Sequence, residues 1–75
     1  MGFLSFGSNV RYFRIQKKMT LQELSKKLGV SVNYLSKLEQ DSAKIKPDFL
    51  PKLCAALEID LSELYREDLP DIEKL

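Results

Sequence analysis

Between Ser31 and Gln40 the sequence SVNYLSKLEQ sorts two kinds of residue at helical spacing. Leu35 and Leu38 are apolar and fall on one face of a helix. Asn33, Ser36, Lys37 and Gln40 recur at intervals of three and four, so they share another face and point largely outward. They present amides, a hydroxyl and an ammonium. Such groups exchange hydrogen bonds and attract anions; none is a nucleophile with a base beside it. The remaining sequence adds no catalytic set. There is no histidine, and the single cysteine, Cys54, lacks both a disulfide partner and a Cys/His cluster, so a zinc site is excluded. Acid–base chemistry would rest on carboxylates, lysines or tyrosines alone, in a 75-residue chain whose core leaves little room for a deep substrate pocket. The chemistry on offer is recognition. No enzyme and no cofactor is expected.

Charge is divided unevenly. The net value is +1, yet residues 1–52 carry ten Lys/Arg against Glu23, Glu39, Asp41 and Asp48, a local +6. Residues 53–75 carry Arg66 and Lys74 against seven acids, a local −5. One reading is a mixed, solvated surface. The sharper one is an anion-binding face on the N-terminal two-thirds, with a segment at the other end that stays off a polyanion. No apolar run approaches the ~20 residues of a membrane span. A lone thiol suits a reducing, cytoplasmic compartment, and Cys54 reads as a small buried hydrophobe.

Five short helices are predicted to position these groups. Residues 1–7, with Phe3, Leu4 and Phe6, read as an apolar extension that folds back on the core or packs on a partner subunit. Ser8 or Asn9 would cap the first helix, with Val10, Phe13, Ile15 and Met19 on its apolar side. Thr20 and Glu23 form a capping box that opens the second, whose stripe is Leu21, Leu24 and Leu28 and whose end is Gly29. Ser31 caps the third, over residues 32–40. A loop over residues 41–46 leads to Pro47, which suits the first turn of a fourth helix. Phe49, Leu50, Leu53, Cys54 and Leu57 line its core side, and Pro51 lies near enough to its start to be tolerated. Asp60, with Glu63, would cap a fifth helix carrying Leu61, Leu64 and Tyr65. The domain is expected over residues 8–67, with an acidic tail over 68–75.

Thr20 to Gln40 is the telling stretch. Two helices of about eight residues flank a turn at Gly29, with small Ser25 where they must approach closely. That is a helix-turn-helix pattern; the plain alternative is an ordinary αα corner. The chain from Arg14 through Tyr65 resembles the Cro/C1-type (XRE) helix-turn-helix domain of lambdoid phage repressors and their bacterial relatives. The resemblance is carried by VRYFRIQKKMTLQELSKKLGVS, YLSKLE and FLPKLCAALEIDLSEL. Within these, R-I-Q, T-x-x-E-L, L-G-V-S, L-x-x-L-E and F-L-P-x-L-x-x-A-L occur together. It implies an all-α, five-helix, lambda-repressor-like DNA-binding bundle.

The resemblance also implies roles. The family reads bases in the major groove from the start of the third helix and one turn later, which matches Ser31, Val32, Asn33, Ser36 and Lys37. Asn33 could pair with adenine, Lys37 with guanine O6/N7 and Val32 with a thymine methyl; Lys37 could instead hold a phosphate. Phosphate contacts are expected from Thr20 and Gln22 at the start of the second helix, from Lys44 and Lys46, and from Tyr34 if it is not a core-edge aromatic. Arg14 and Glu39 match the family's structural ion pair. Leu21 stands where the family often has glutamine. Gln40-Asp41 and Glu58 stand where it often has glycines, and the loop before Pro47 is one residue longer.

The function that follows is a sequence-specific double-stranded-DNA regulator acting by operator occupancy. One recognition helix seldom discriminates enough, so a homodimer is expected. Ile59, Leu61, Leu64 and Tyr65 form an apolar surplus near the C-terminus, and related repressors pair in that region. They are the candidate subunit contact. A phage repressor, a restriction–modification controller and an antitoxin all remain open. The competing class is a protein-interaction module, such as an antitoxin whose main partner is another protein.

Overall fold

The leucines placed at helical spacing meet in one core. In the computed structural model, which describes residues 6–69, the chain forms α1 (Phe6–Gln16), α2 (Leu21–Leu28), α3 (Val32–Glu39) and α4 (Leu50–Leu57). Short 3-10 turns lie at Pro47–Phe49 and Leu61–Tyr65, and no strand occurs among the described residues. Val10, Leu24, Leu28, Leu35, Leu38, Leu53, Leu57 and Leu64 are buried together. Every helix gives one face to this cluster, as its apolar stripe requires. α1 packs on α3 and on the Leu61–Tyr65 turn; α2 packs on α3 and α4.

All four of these α-helices end in the same motif. A residue in the left-handed conformation follows the helix, and the next N–H reaches back to close a six-residue loop. The left-handed residues are Lys18 (φ 57°), Gly29 (φ 72°), Asp41 (φ 58°) and Glu58 (φ 58°). The closing bonds are Met19 N–H to Arg14 O at 3.1 Å, Val30 to Ser25 at 3.0 Å, Ser42 to Lys37 at 2.8 Å and Ile59 to Cys54 at 3.0 Å. Only at Gly29 is a Cβ clash avoided; elsewhere the conformation costs about 1 kcal/mol. Glu58 recovers part of this through an ion pair with Lys17 Nζ at 3.0 Å. That bond, then the Lys17 charge, hold its carboxyl below the usual range.

The expected start of the first helix is corrected. α1 runs over Phe6–Gln16, so Ser8 and Asn9 lie inside it and not at its N-cap. Asn9 is buried and donates from Nδ2 to the carbonyls of Leu64 at 2.7 Å and Arg66 at 2.8 Å. Phe6 and Gly7, assigned to an extension, belong to the helix, and the Phe6 ring meets that of Tyr65 at a tilt of 47° with centroids 5.7 Å apart. Residues 1–5, with Phe3 and Leu4, lie outside the described residues. Ile15 is exposed, and Met19 falls past the helix end.

The fifth helix is also corrected. Leu61–Tyr65 is a 3-10 turn, and Asp60 makes no side-chain cap bond to it. Five residues are too few to establish α-helical bonding, and Arg66 beyond it is extended. Asn9 takes up the carbonyls that such an end would leave unpaired. Likewise Pro47 opens a 3-10 turn, and α4 starts only at Leu50 with Pro51 in its first turn. Leu69, in the expected acidic tail, is buried. Residues 70–75 of the expected tail lie outside the described residues.

Candidate nucleic-acid interface

α2 and α3 owe their ends to local chemistry. The Oγ1 of Thr20 accepts the N–H of Glu23 at 3.0 Å, and Glu23 Oε1 accepts the N–H of Thr20 at 3.0 Å. This is the capping box expected from the spacing, and those bonds hold the Glu23 carboxyl below its usual range. Ser25 is buried, and its hydroxyl donates to Gln22 O at 2.9 Å. Gly29 turns the chain, and Ser31 Oγ then accepts the N–H of Tyr34 at 3.0 Å to start α3.

The turn leaves one face of α3 outward. Ser31, Val32, Asn33 and Lys37 are exposed and Ser36 is half-buried, while Leu35, Leu38 and Glu39 are buried. Val32, Asn33, Ser36 and Lys37 thus lie on the less buried part of α3, with Ser31 at its N-cap. Behind them stands the expected ion pair. Arg14 Nε lies 2.7 Å from Glu39 Oε2 and Nη2 lies 3.1 Å from Oε1. The two side chains are only 11% and 6% exposed, so the pair is desolvated and bidentate. Arg14 Nη1 also donates to Met19 O at 2.9 Å, which joins the end of α1 to the end of α3.

The expected phosphate contacts divide. Thr20 is exposed at the N-cap and Gln22 in the first turn of α2, where the N–H groups of Leu21 and Gln22 have no acceptor within the helix. Lys44 and Lys46 are exposed on the loop after α3. Tyr34 is corrected. It is half-buried, its hydroxyl donates to Lys44 O at 3.1 Å, and its ring meets Phe49 edge-on at 6.1 Å. That hydroxyl bond ties Tyr34 to the lysine loop. A groove of about 400 Å³ runs beside it, lined by Val30, Ser31, Tyr34, Lys46 and Phe49.

Two residues not assigned a role in the sequence also border the interface. Arg11 and Gln40 line a cleft of about 250 Å³ with Arg14, Leu21, Ser36 and Glu39. The signal was present: Gln40 lies four residues after Ser36, and Arg11 three before Arg14, so each shares a helical face with a residue already singled out. Among the described residues no cluster of His, Cys, Asp or Glu could hold a metal ion.

The expected subunit contact is split. Leu64 is fully buried in its own core, so it offers no surface and is corrected. Ile59 is half-buried and packs on that core. Leu61 and Tyr65 remain outward at 45% and 59% exposure. Beside Ile59, the Cys54 thiol is half-buried; desolvation and then the Asp60 charge push it up, so it stays protonated and unreactive near neutral pH.

A family model described as helix-turn-helix matches residues 10–64, most of the chain, with α2, α3 and α4 inside the match. The chain belongs to the Cro/C1-type (XRE) helix-turn-helix family. This XRE-family chain is 34% identical over 70 residues to the HTH-type transcriptional regulator SlrR of Bacillus subtilis (strain 168), covering 92% of the chain and 46% of SlrR. The chain therefore spans about half the length of that relative. Its fold is similar to the DNA-binding domain of the P22 C2 repressor, with a TM-score of 0.82 and 27% identity over 93% of this chain and 92% of that one. It is also similar to SinR, the master regulator for biofilm formation, solved in complex with DNA. There the TM-score is 0.74 and the identity 31%, over 81% of this chain and 98% of that one. The family is one of transcription regulators with DNA-binding members.

Proposed function

We propose that this chain is a sequence-specific double-stranded-DNA-binding regulator that acts by occupying an operator, with α3 in the major groove. The observation that carries the reading is the outward face of α3. Ser31, Val32, Asn33, Ser36 and Lys37 lie together on a helix that Arg14 and Glu39 clamp from behind. A rigid helix with amide, ammonium and methyl groups outward fits base-edge recognition. Thr20 and Gln22 on one side, with Lys44 and Lys46 on the other, supply backbone contacts that set its register. The similarity to SinR, solved with DNA, supports the same reading.

The chain acts as a homodimer, through Leu61 and Tyr65 with Ile59 at their edge. Doubling the reader supplies the discrimination that a single helix lacks, on half-sites about one turn apart. The experiment is selection of bound duplexes from a random pool. The reading expects a motif of two related halves at that spacing. Recovery of no motif, with tight capture of a protein partner instead, would favour an interaction module.

A further inference from the structure

The end of α3 and the start of α1 are joined by a contact outside the reading face. Asp41 sits in the left-handed position after α3, where glycine would cost least. Its carboxylate does something glycine cannot. Oδ1 accepts the N–H of Gly7, in the first turn of α1, at 3.0 Å. That N–H has no acceptor within its own helix, and a helix N-terminus favours a negative charge. Gly7 in turn has no room for a side chain. A Cβ placed on it would stand 2.5 Å from the carbonyl oxygens of both Leu38 and Glu39. The backbone of α1 thus rests directly on the last carbonyls of α3, and Asp41 bonds the two together.

We propose that Asp41 and Gly7 form a joint that sets how α3 is presented, and that Asp41 is a positioning residue for DNA discrimination. The inference rests on the reading of α3 as the DNA reader. Arg14 and Glu39 tie the end of α3 to α1, in addition to the core packing of Leu35 and Leu38. The Gly7–Asp41 contact supplies a second point of attachment, two residues farther along the chain than Glu39. With two attachments to α1, Asn33 and Lys37 arrive at base edges in one orientation, as a positioned site requires.

The test compares the parent with Asp41→Gly, Asp41→Asn and Gly7→Ala. Asp41→Gly removes the carboxylate yet relieves the left-handed backbone, so stability stays near that of the parent. Asp41→Asn keeps a side-chain oxygen acceptor and tolerates the same backbone. Affinities for the selected duplex and a scrambled duplex are measured well below every melting temperature. The ratio of the two is expected to fall about tenfold in Asp41→Gly, the size of one good base contact. Scrambled-duplex affinity holds within about twofold, and Asp41→Asn restores the ratio. Gly7→Ala, if folded, lowers the ratio as well. An unchanged ratio in Asp41→Gly, or equal loss on both duplexes, overturns the joint while leaving α3 as the reader. A parent that binds neither duplex would instead remove the DNA reading itself, and the joint with it.

Discussion

Arg14 grips Glu39 through two N–H···O bonds of 2.7 and 3.1 Å while its third nitrogen holds Met19 O at 2.9 Å. One guanidinium therefore binds the last residue of α3 and the turn that ends α1. Arginine is needed for this; lysine has no planar fork to match a carboxylate at two points.

Removing one side of so buried a pair strands the other. Glu39→Ala should destabilise the fold by about 3–5 kcal/mol, read from urea unfolding. Arg14→Lys should fall short of the parent, because the second bond and the Met19 bond are both lost. A Glu39→Ala midpoint close to that of the parent would mean the pair is solvated in solution.

The outward face of α3 predicts a different signature. Asn33→Ala and Lys37→Ala should each lower preference for the selected duplex by ~1–3 kcal/mol, with little change on scrambled DNA. Competition binding with both duplexes separates the two. Equal losses would make these residues phosphate contacts.

Why part of this was legible and part was not comes down to range. Thr20 with Glu23, Gly29, and Ser31 announce the helix-turn-helix because each acts on a backbone group one to four residues away. Arg14 and Glu39 were legible only through the resemblance. Asn9 was misread because asparagine favours helix caps, while its real partners lie at Leu64 and Arg66, at the far end of the chain. Asp41 hid for the same reason: its acceptor role toward Gly7 spans 34 positions. Leu61, Leu64 and Tyr65 have helical spacing, but a stretch of five residues held by Asn9 settles into a 3-10 turn that buries Leu64.

Left-handed helix ends make a third prediction. Lys18→Gly removes a Cβ from the left-handed region and should raise stability by about 0.5–1 kcal/mol. Glu58→Gly should gain less, since the exposed pair with Lys17 is lost with it. Thermal melts of the two variants side by side check the order. A Lys18→Gly protein less stable than its parent would contradict the argument.

Subunit pairing has its own test. Leu61→Asp alters an outward residue, so its fold should survive while pairing weakens; Tyr65→Asp weakens pairing too but also gives up the Phe6 ring contact. Sedimentation with a duplex holding two half-sites should show two copies of the parent per duplex. The charged variants should show fewer. Variants that load as well as the parent would move the contact elsewhere.

The central claim is that the outward face of α3 reads duplex DNA, and binding measured against salt tests it most directly. Lys44, Lys46 and the start of α2 meet phosphates in this account, while Lys37 reads base edges between them. The logarithm of affinity should then fall linearly with the logarithm of salt concentration, by roughly 0.9 per phosphate neutralised and so with a slope reflecting several of them. The selected duplex should hold an advantage of at least about a thousandfold over scrambled DNA at physiological salt. Affinity indifferent to salt, or equal for both duplexes throughout the titration, would contradict the account.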